Sequence, residues 1–139
     1  PLQMEGEEKG TLVFAASLQV TQNIQIHLEK VPDTLILGES QAIQIRVDNP
    51  YDHTVKARTG NLPLQLVAIL TDEFDHIQWY PLDLQWTEIP AVERTRLEGQ
   101  LLVPDFGGKG RKVRLAIGFK TGVLAPTYNS APKSVHLRH

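Results

Sequence analysis

The residues of this chain that could support catalysis are scattered serines and histidines. A serine nucleophile needs a strained turn that places its hydroxyl beside a histidine, as in the Gly-x-Ser-x-Gly motif. The four serines, Ser17, Ser40, Ser130 and Ser134, lie outside any such motif. The five histidines lack the close spacing of metal ligands, apart from the last two in the chain. The sequence therefore predicts that the protein is not an enzyme, with no catalytic residue, no metal and no cofactor.

Two polar clusters resemble ligand-binding loops without meeting their requirements. Asp72, Glu73 and Asp75 could offer oxygens to calcium, but Phe74 interrupts them and the glycine of a calcium loop is missing. We interpret this cluster as a hairpin turn with solvated acids. The run 107–112 contains three glycines, yet a phosphate loop needs Gly-Lys-Ser/Thr before a helix. We predict a flexible hairpin loop there instead.

Binding by side chains in loops and on a strand edge is the stronger possibility. Lys109, Arg111 and Lys112 could form a basic edge that contacts a partner, and Tyr51 and Tyr128 lie in predicted loops. The long loop 121–132 is the best single candidate, because loops of this length are often functional. Nucleic acid is an unlikely ligand class, since no aromatic residue lies between positions 94 and 106 to stack on bases.

Three aromatic residues lie within eight positions of one another. Trp79 and Tyr80 are adjacent in a predicted strand, so they point to opposite faces. Large aromatic side chains usually supply core burial, and we expect Trp79 and Trp86 to pack in the core. The alternative is that Trp79, Tyr80 and Trp86 belong to a surface platform on which sugar rings stack.

The net charge of −2 conceals a division along the chain. Residues 1–93 carry 5 Lys or Arg and 14 Asp or Glu, whereas residues 94–139 carry 9 and 2. One interpretation is that strands from the two parts interleave, so that their charges complement each other. The other is that a basic face meets an acidic protein partner.

Alternating apolar and polar residues are the main structural signal. Ile43, Ile45 and Val47 alternate with polar residues, and the run ends at Asn49-Pro50. Similar runs recur, and we expect Pro81 to interrupt one of them. Their spacing predicts nine or ten strands in an all-β fold, an antiparallel two-sheet sandwich. We assign 1–10 as a flexible acidic tail and 11–139 as one β-sandwich domain.

These runs resemble the bacterial immunoglobulin-like and fibronectin-III-like modules. The resemblance rests on Leu35–Glu39 followed by Ile43–Pro50, and on Arg111–Ile117 after a glycine-rich turn. Residues 66–79 are also similar to intracellular proteinase-inhibitor-like sandwiches. The resemblance implies an immunoglobulin-like sandwich and an accessory module of a larger bacterial protein. It slightly favours an extracytoplasmic or cell-surface location over a cytoplasmic one.

Composition limits the remaining possibilities. The absence of cysteine excludes disulfides, cysteine-ligated zinc and a cysteine nucleophile. No apolar stretch approaches the roughly 18 residues that a membrane span requires. The chain begins with proline, which we interpret as a sign of an excised or processed fragment. We therefore expect a non-catalytic module that binds a protein partner through loops and a basic edge. The alternatives are a carbohydrate-binding module and a protease inhibitor that uses the loop 121–128.

Overall fold

The computed structural model describes residues 23–56, 58–59, 62–86, 88–121 and 125–139. The predicted acidic tail and the β-prone run 11–19 lie outside these residues. The described residues contain strands and no helix. The strands are β1 (Gln25–Lys30), β2 (Thr34–Ile36), β3 (Ser40–Asp48), β4 (Val55–Lys56), β5 (Arg58–Thr59), β6 (Leu62–Asp72), β7 (Ile77–Asp83), β8 (Glu88–Ile89), β9 (Arg94–Leu102), β10 (Lys112–Thr121) and β11 (Lys133–Arg138). The prediction of an all-β fold is confirmed.

Eight strands form one continuous curled sheet in the order β1-β3-β9-β7-β6-β10-β11-β2. Strand β5 pairs with β6 beside this path, and β4 and β8 form a separate pair. Neighbours are antiparallel, except that β11 and β2 are parallel. The two-sheet immunoglobulin-like arrangement is not confirmed, because β7 pairs with both β6 and β9 and so joins the two groups of strands into one sheet. Its residues 77–81 pair with β6, and Leu82 and Asp83 pair with β9.

Strand β7 also corrects the expectation that Pro81 interrupts the strand. Pro81 lies opposite Val67 of β6, and the strand continues through it to Asp83. In an antiparallel pair, alternate residues direct their N–H groups away from the neighbour. The turn bond from the Asp72 N–H to the His76 carbonyl (3.0 Å) places Pro81 at such an outward position. The missing N–H of proline therefore costs no hydrogen bond with β6.

Curling directs the apolar faces of distant strands at one core. Ile43, Ile45 and Val47 of β3 are fully buried, as their alternation predicted. They pack in the same cluster as the buried residues of the central strands β6 and β10. The core members from β6 and β10 are Leu64, Leu66, Ala68, Leu70, Val113, Leu115, Ile117 and Phe119.

The segment 125–130 links the first strand of the sheet back to β10. The Asn129 N–H donates to the Ile117 carbonyl (3.0 Å), and the Ile26 N–H donates to the Asn129 carbonyl (2.8 Å). The Thr127 N–H donates to the Phe119 carbonyl (2.9 Å), directly above Gly118, where a side chain would collide with Thr127. Most of the predicted long loop 121–132 is therefore an extended segment fixed by hydrogen bonds; residues 122–124 lie outside the described part.

A side-chain amide occupies the outer edge of β2. The Ile36 N–H donates to Oε1 of Gln41 (2.9 Å), and Nε2 of Gln41 donates to the Thr34 carbonyl (3.2 Å). The amide therefore satisfies both outward-facing backbone groups, as another strand would. It also ties β2 to the start of β3 and so maintains the curl.

We expect Gln41→Leu to lower the free energy of unfolding by about 1–3 kcal/mol, since it leaves two partly buried backbone groups without partners. The matched control is Gln44→Leu on the same strand, because Gln44 bonds only to the exposed Glu98 side chain. The control should stay within about 0.5 kcal/mol of the wild type. Urea unfolding measures both variants, and equal losses would contradict the role given to Gln41.

Candidate functional site

The acidic turn between β6 and β7 is organised around a buried carboxylate. Asp72 is only 2% exposed, which corrects the expectation that all acids of this turn are solvated. Its Oδ1 accepts the N–H groups of Phe74 (2.9 Å) and His76 (2.8 Å). Its Oδ2 accepts the Gly110 N–H (3.3 Å) from the glycine-rich loop. Glu73 and Asp75 are exposed, as predicted.

The hydrogen bonds to Asp72 stabilise its charged form. Burial by itself raises the pKa of the Asp72 carboxyl, because a low-dielectric environment disfavours the charge. The backbone donors of His76, Phe74 and Gly110, together with the nearby His76 side chain, outweigh burial and lower the pKa below its ordinary value. The carboxylate therefore locks the hairpin turn to the glycine-rich loop while it is ionised.

The glycine-rich loop is neither a hairpin nor free. It connects β9 to β10, which are not neighbours in the sheet. Side chains at Gly108 or Gly110 would overlap the Asp72 carboxyl group, so glycine permits the close approach. The Gly107 N–H donates to Oε1 of Gln78 (2.9 Å). This corrects the prediction of a flexible hairpin loop at 107–112.

The loop also fixes an aromatic residue that we predicted as a binding residue. The Tyr80 hydroxyl lies 2.7 Å from both the Asp105 carbonyl and Oε1 of Gln78, and it can donate to either. Burial and the nearby Asp105 carboxylate raise the pKa of Tyr80. Its ring packs partly buried against the core. Tyr80 thus presents little of its ring as a platform.

The remaining predicted aromatic residues are dispersed. Trp86 packs against the core with its ring edge-on to Phe119, with centroids 6.1 Å apart, which confirms the expected core packing. Tyr51 also packs partly buried against the core and stacks on His53 at 5.2 Å. Tyr128 is exposed on the extended segment beside β10. The structure does not gather these side chains into one surface.

The predicted basic edge lies beside the acidic turn. Lys109, Arg111 and Lys112 are exposed, and the Lys112 N–H donates to the Glu73 carboxylate (3.4 Å). A shallow cleft of about 360 Å³ brings Glu73 and Asp75 together with the basic start of β10. The basic residues therefore do not form a face of one sign.

Ion pairs across the sheet support the interpretation that the two charge regions complement each other. Arg94 lies 3.8 Å from Asp48, and Arg96 lies 3.5 Å from Glu29. A third pair joins Lys133 to Asp33 at 3.1 Å. Each pair joins a basic residue after position 93 to an acidic residue before it. These three pairs neutralise part of the sequence division of charge in space.

The structure instead exposes three large apolar side chains on the β6–β7 hairpin. Phe74 at the turn is 70% exposed, Ile77 is 52% exposed and Trp79 is 45% exposed. We call these three residues the apolar hairpin surface. Sequence reasoning placed Trp79 in the core, and this expectation is wrong. The missed signal was the alternation of side chains along β7. If the strand continues through Pro81 and Leu82 is buried, then Tyr80 faces the core and Trp79 faces outward.

The Lys120 ammonium group lies over the Trp79 indole ring. Nζ of Lys120 lies 4.5 Å from the centre of the indole ring. Trp79 pairs with Ile69 of β6, and Lys120 pairs with Gln65 of the same strand, so the two side chains meet above the buried Val67. A cation over an indole ring is attracted to it by about 0.5–1 kcal/mol at an exposed site. The ring is therefore oriented before any ligand arrives.

Within the described ranges, no group of three or more His, Asp or Glu side chains could hold a metal ion. The described part of the chain likewise contains no helix of the length and hydropathy needed to cross a bilayer.

Comparison with known proteins identifies no family. No family model matches the chain, and no curated protein matches it. Solved structures that resemble it include a DNA glycosylase of Pseudomonas fluorescens that acts on alkylpurines, bound to DNA with an abasic site analog (14% identity, TM-score 0.49). That match covers 91% of this chain and 33% of the glycosylase.

Two further structures show how varied these similarities are. A β-glucosidase of Listeria innocua is 13% identical with a TM-score of 0.47, and the match covers 84% of this chain but only 16% of the enzyme. The small CARDB domain of a Pyrococcus furiosus protein is 11% identical with a TM-score of 0.42, with 84% and 93% covered. At these levels the similarities assign neither a family nor an activity.

The first prediction from this site concerns pH. Because the folded pKa of Asp72 lies below its unfolded value of about 3.9, its charge stabilises the fold above that pH. This contribution is lost as the pH falls through the lowered folded pKa. We therefore expect Asp72→Asn to lower the urea midpoint at pH 7 and the difference from wild type to shrink in acid. Glu73→Gln, which alters an exposed carboxylate of the same turn, is the control, and a gap constant with pH would contradict the assignment.

The second prediction compares two adjacent glycines. A methyl group at Gly108 would overlap Asp72 and Phe106, whereas one at Gly107 would meet only side-chain atoms of Gln78 and His76 at 3.4 Å or more. We expect Gly108→Ala to destabilise the fold by about 1–3 kcal/mol through overpacking. Gly107→Ala should change stability by less than about 0.5 kcal/mol. Equal effects in thermal unfolding would show that the loop is not packed on Asp72.

Proposed function

We propose that this chain is a non-catalytic recognition domain that binds a protein partner through the apolar hairpin surface. The observation that carries the proposal is the exposure of Phe74, Ile77 and Trp79 on one hairpin. Exposed aromatic and aliphatic side chains on a fixed support are typical of binding hot spots. This proposal keeps the expected class of function but moves the binding residues away from the basic edge.

Rigidity of the hairpin supports the proposal. The Asp72 carboxylate fixes the turn, and Lys120 orients the Trp79 ring. A surface that is already ordered pays less conformational entropy when a partner binds. Less of the free energy gained by covering apolar area is then offset by the cost of ordering the surface, so the affinity is higher than for a flexible surface.

Carbohydrate binding is the second candidate, and Trp79 is the observation that favours it. An exposed indole can stack on a sugar ring. The platform first proposed with Tyr80 and Trp86 is reduced to a single ring, because those two side chains pack against the core. Inhibition of a protease by the loop 121–128 has less support. The N–H groups of Thr127 and Asn129 are bonded to β10, so that backbone is not free to lie in a cleft.

We expect peptides selected from a random display library on the immobilised domain to lose affinity by about tenfold or more when Ile77 or Trp79 is replaced by alanine. A tenfold loss corresponds to about 1.4 kcal/mol, within the range of a binding hot spot. The matched control is Val92→Ala, because Val92 is an aliphatic residue that is 72% exposed and precedes β9 at the end remote from β7. Thermal unfolding confirms that each variant is folded.

The outcomes separate the two candidates. If both hairpin variants bind the selected peptides as wild type does, the apolar hairpin surface is not the protein-binding site. If oligosaccharides shift the tryptophan emission and Trp79→Ala abolishes the shift, carbohydrate binding is favoured. In that case the affinity should not change with salt.

A further inference from the structure

One edge of β7 carries backbone groups that have no partner strand in the described part of the chain. The bond from the Asp72 N–H to the His76 carbonyl (3.0 Å) sets the pairing pattern with β6. Counting from that pair, Gln78 and Tyr80 direct their backbone groups toward β6. Ile77 and Trp79 direct theirs away from it. Two N–H groups and two carbonyls therefore point out along one side of the strand.

Among the residues that the structure describes, no neighbouring strand occupies this edge. Strand β9 pairs with β7 only at Leu82 and Asp83, and Pro81 has no N–H to extend the pairing. Within the described residues, the outward backbone groups of Ile77 and Trp79 form no hydrogen bond. Both residues are also about half exposed.

The two strands at the ends of the sheet, β1 and β2, differ from β7 in this respect. The amide of Gln41 covers the free edge of β2. On β1, the Ile26 N–H bonds to Asn129, and a bulge between Leu28 and Lys30 disturbs the edge further along. Bulges and covered edges prevent the addition of another strand. Among these three strands, β7 alone presents two successive outward residues without such protection.

Two exposed carboxylates lie near the open edge. Asp83 ends β7, and the Asp105 carbonyl accepts a bond from the Tyr80 hydroxyl. Glu73 and Asp75 lie at the turn before β7, where they share a cleft with Lys112 and Arg114 of β10. Asp83 and Asp105 are both exposed, and within the described part of the chain neither forms an ion pair. These two acids make the edge complementary to a positively charged segment.

We propose that the partner binds as an extended, basic peptide that adds one strand to the free edge of β7. This inference rests on the proposed function and specifies its ligand. The peptide backbone bonds to Ile77 and Trp79, and its apolar side chains pack beside theirs on the outer face. Its lysine or arginine side chains lie close to Asp83 and Asp105. A second copy of this chain fits less well, because pairing β7 with itself would bring like charges together.

The first test uses a defined probe, an acetylated and amidated heptapeptide of alternating lysine and valine. By NMR, we expect the free domain to exchange the amide hydrogens of Ile77 and Trp79 quickly and those of Gln78 and Tyr80 slowly. Added peptide should protect Ile77 and Trp79, with an affinity that falls as salt is raised. The same peptide with glutamate in place of lysine should bind at least about tenfold more weakly.

The second test separates backbone from side-chain binding. Methylation of the backbone nitrogens at alternate positions of the peptide removes its hydrogen bonds to β7, and we expect about a tenfold loss or more in one of the two methylation registers. On the domain, Ile77→Pro removes an outward N–H that has no partner in the sheet, as Pro81 does naturally. It should weaken binding more than Ile77→Ala, which keeps the N–H. A melting curve confirms folding, and the methylated peptides decide the question if the proline variant unfolds.

The results distinguish the two proposals. If methylation in both registers leaves affinity unchanged, or if the peptide protects amides elsewhere, strand addition is wrong. The same follows if the lysine peptide fails to bind or the glutamate peptide binds equally well. The proposed function survives each of these results as long as Trp79→Ala still abolishes binding of library-selected peptides. It fails only when that variant and Ile77→Ala both bind as wild type does.

Discussion

The curled sheet depends on side-chain amides that replace missing strands. A primary amide carries a donor and an acceptor, as a peptide group does, so it can satisfy backbone groups that a sheet edge or bend leaves open. Gln41 does this for β2, and Nδ2 of Asn129 donates to the Ile24 carbonyl beside β1 (2.9 Å). At the end of β3, Nδ2 of Asn49 lies 3.1 Å from each of three backbone carbonyls. Without these amides, the connections between strands would lose the bonds that hold them against the core.

The same principle makes the candidate site rigid. A carboxylate only accepts hydrogen bonds, and the β6–β7 turn and the glycine-rich loop together present three N–H groups to Asp72. The carboxylate therefore joins two segments that are nearly forty residues apart in sequence. Because the turn is fixed, Phe74 and Ile77 remain at the surface instead of collapsing onto the core. An apolar surface that cannot bury itself is available to a partner.

Local patterns in the sequence predict strands well and connections poorly. The alternation of Ile43, Ile45 and Val47 located β3 and its buried face correctly, because alternation depends only on neighbouring residues. The expected break at Pro81 failed, since the cost of proline depends on which side of the strand its nitrogen faces. The hydrogen bonds that fix residues 125–130 of the predicted loop 121–132 could not be foreseen for a similar reason: they reach Ile26 and Ile117, which no local pattern reveals. Trp79 was misplaced because its face follows from Leu82 across the proline.

The order of the strands decides which acidic and basic residues lie next to each other. Acidic residues on β1 and β3 lie beside arginines of β9 and are paired, so the division of charge along the chain does not survive as two faces. Asp83 and Asp105 beside β7 differ, because within the described residues neither of them forms an ion pair. The uncompensated charge therefore coincides with the uncompensated backbone edge and with the exposed side chains of Ile77 and Trp79. The edge of β7 therefore has uncompensated negative charge, unpaired backbone groups and exposed apolar side chains. A single basic strand would neutralise the charge, pair with the backbone groups and cover the apolar side chains.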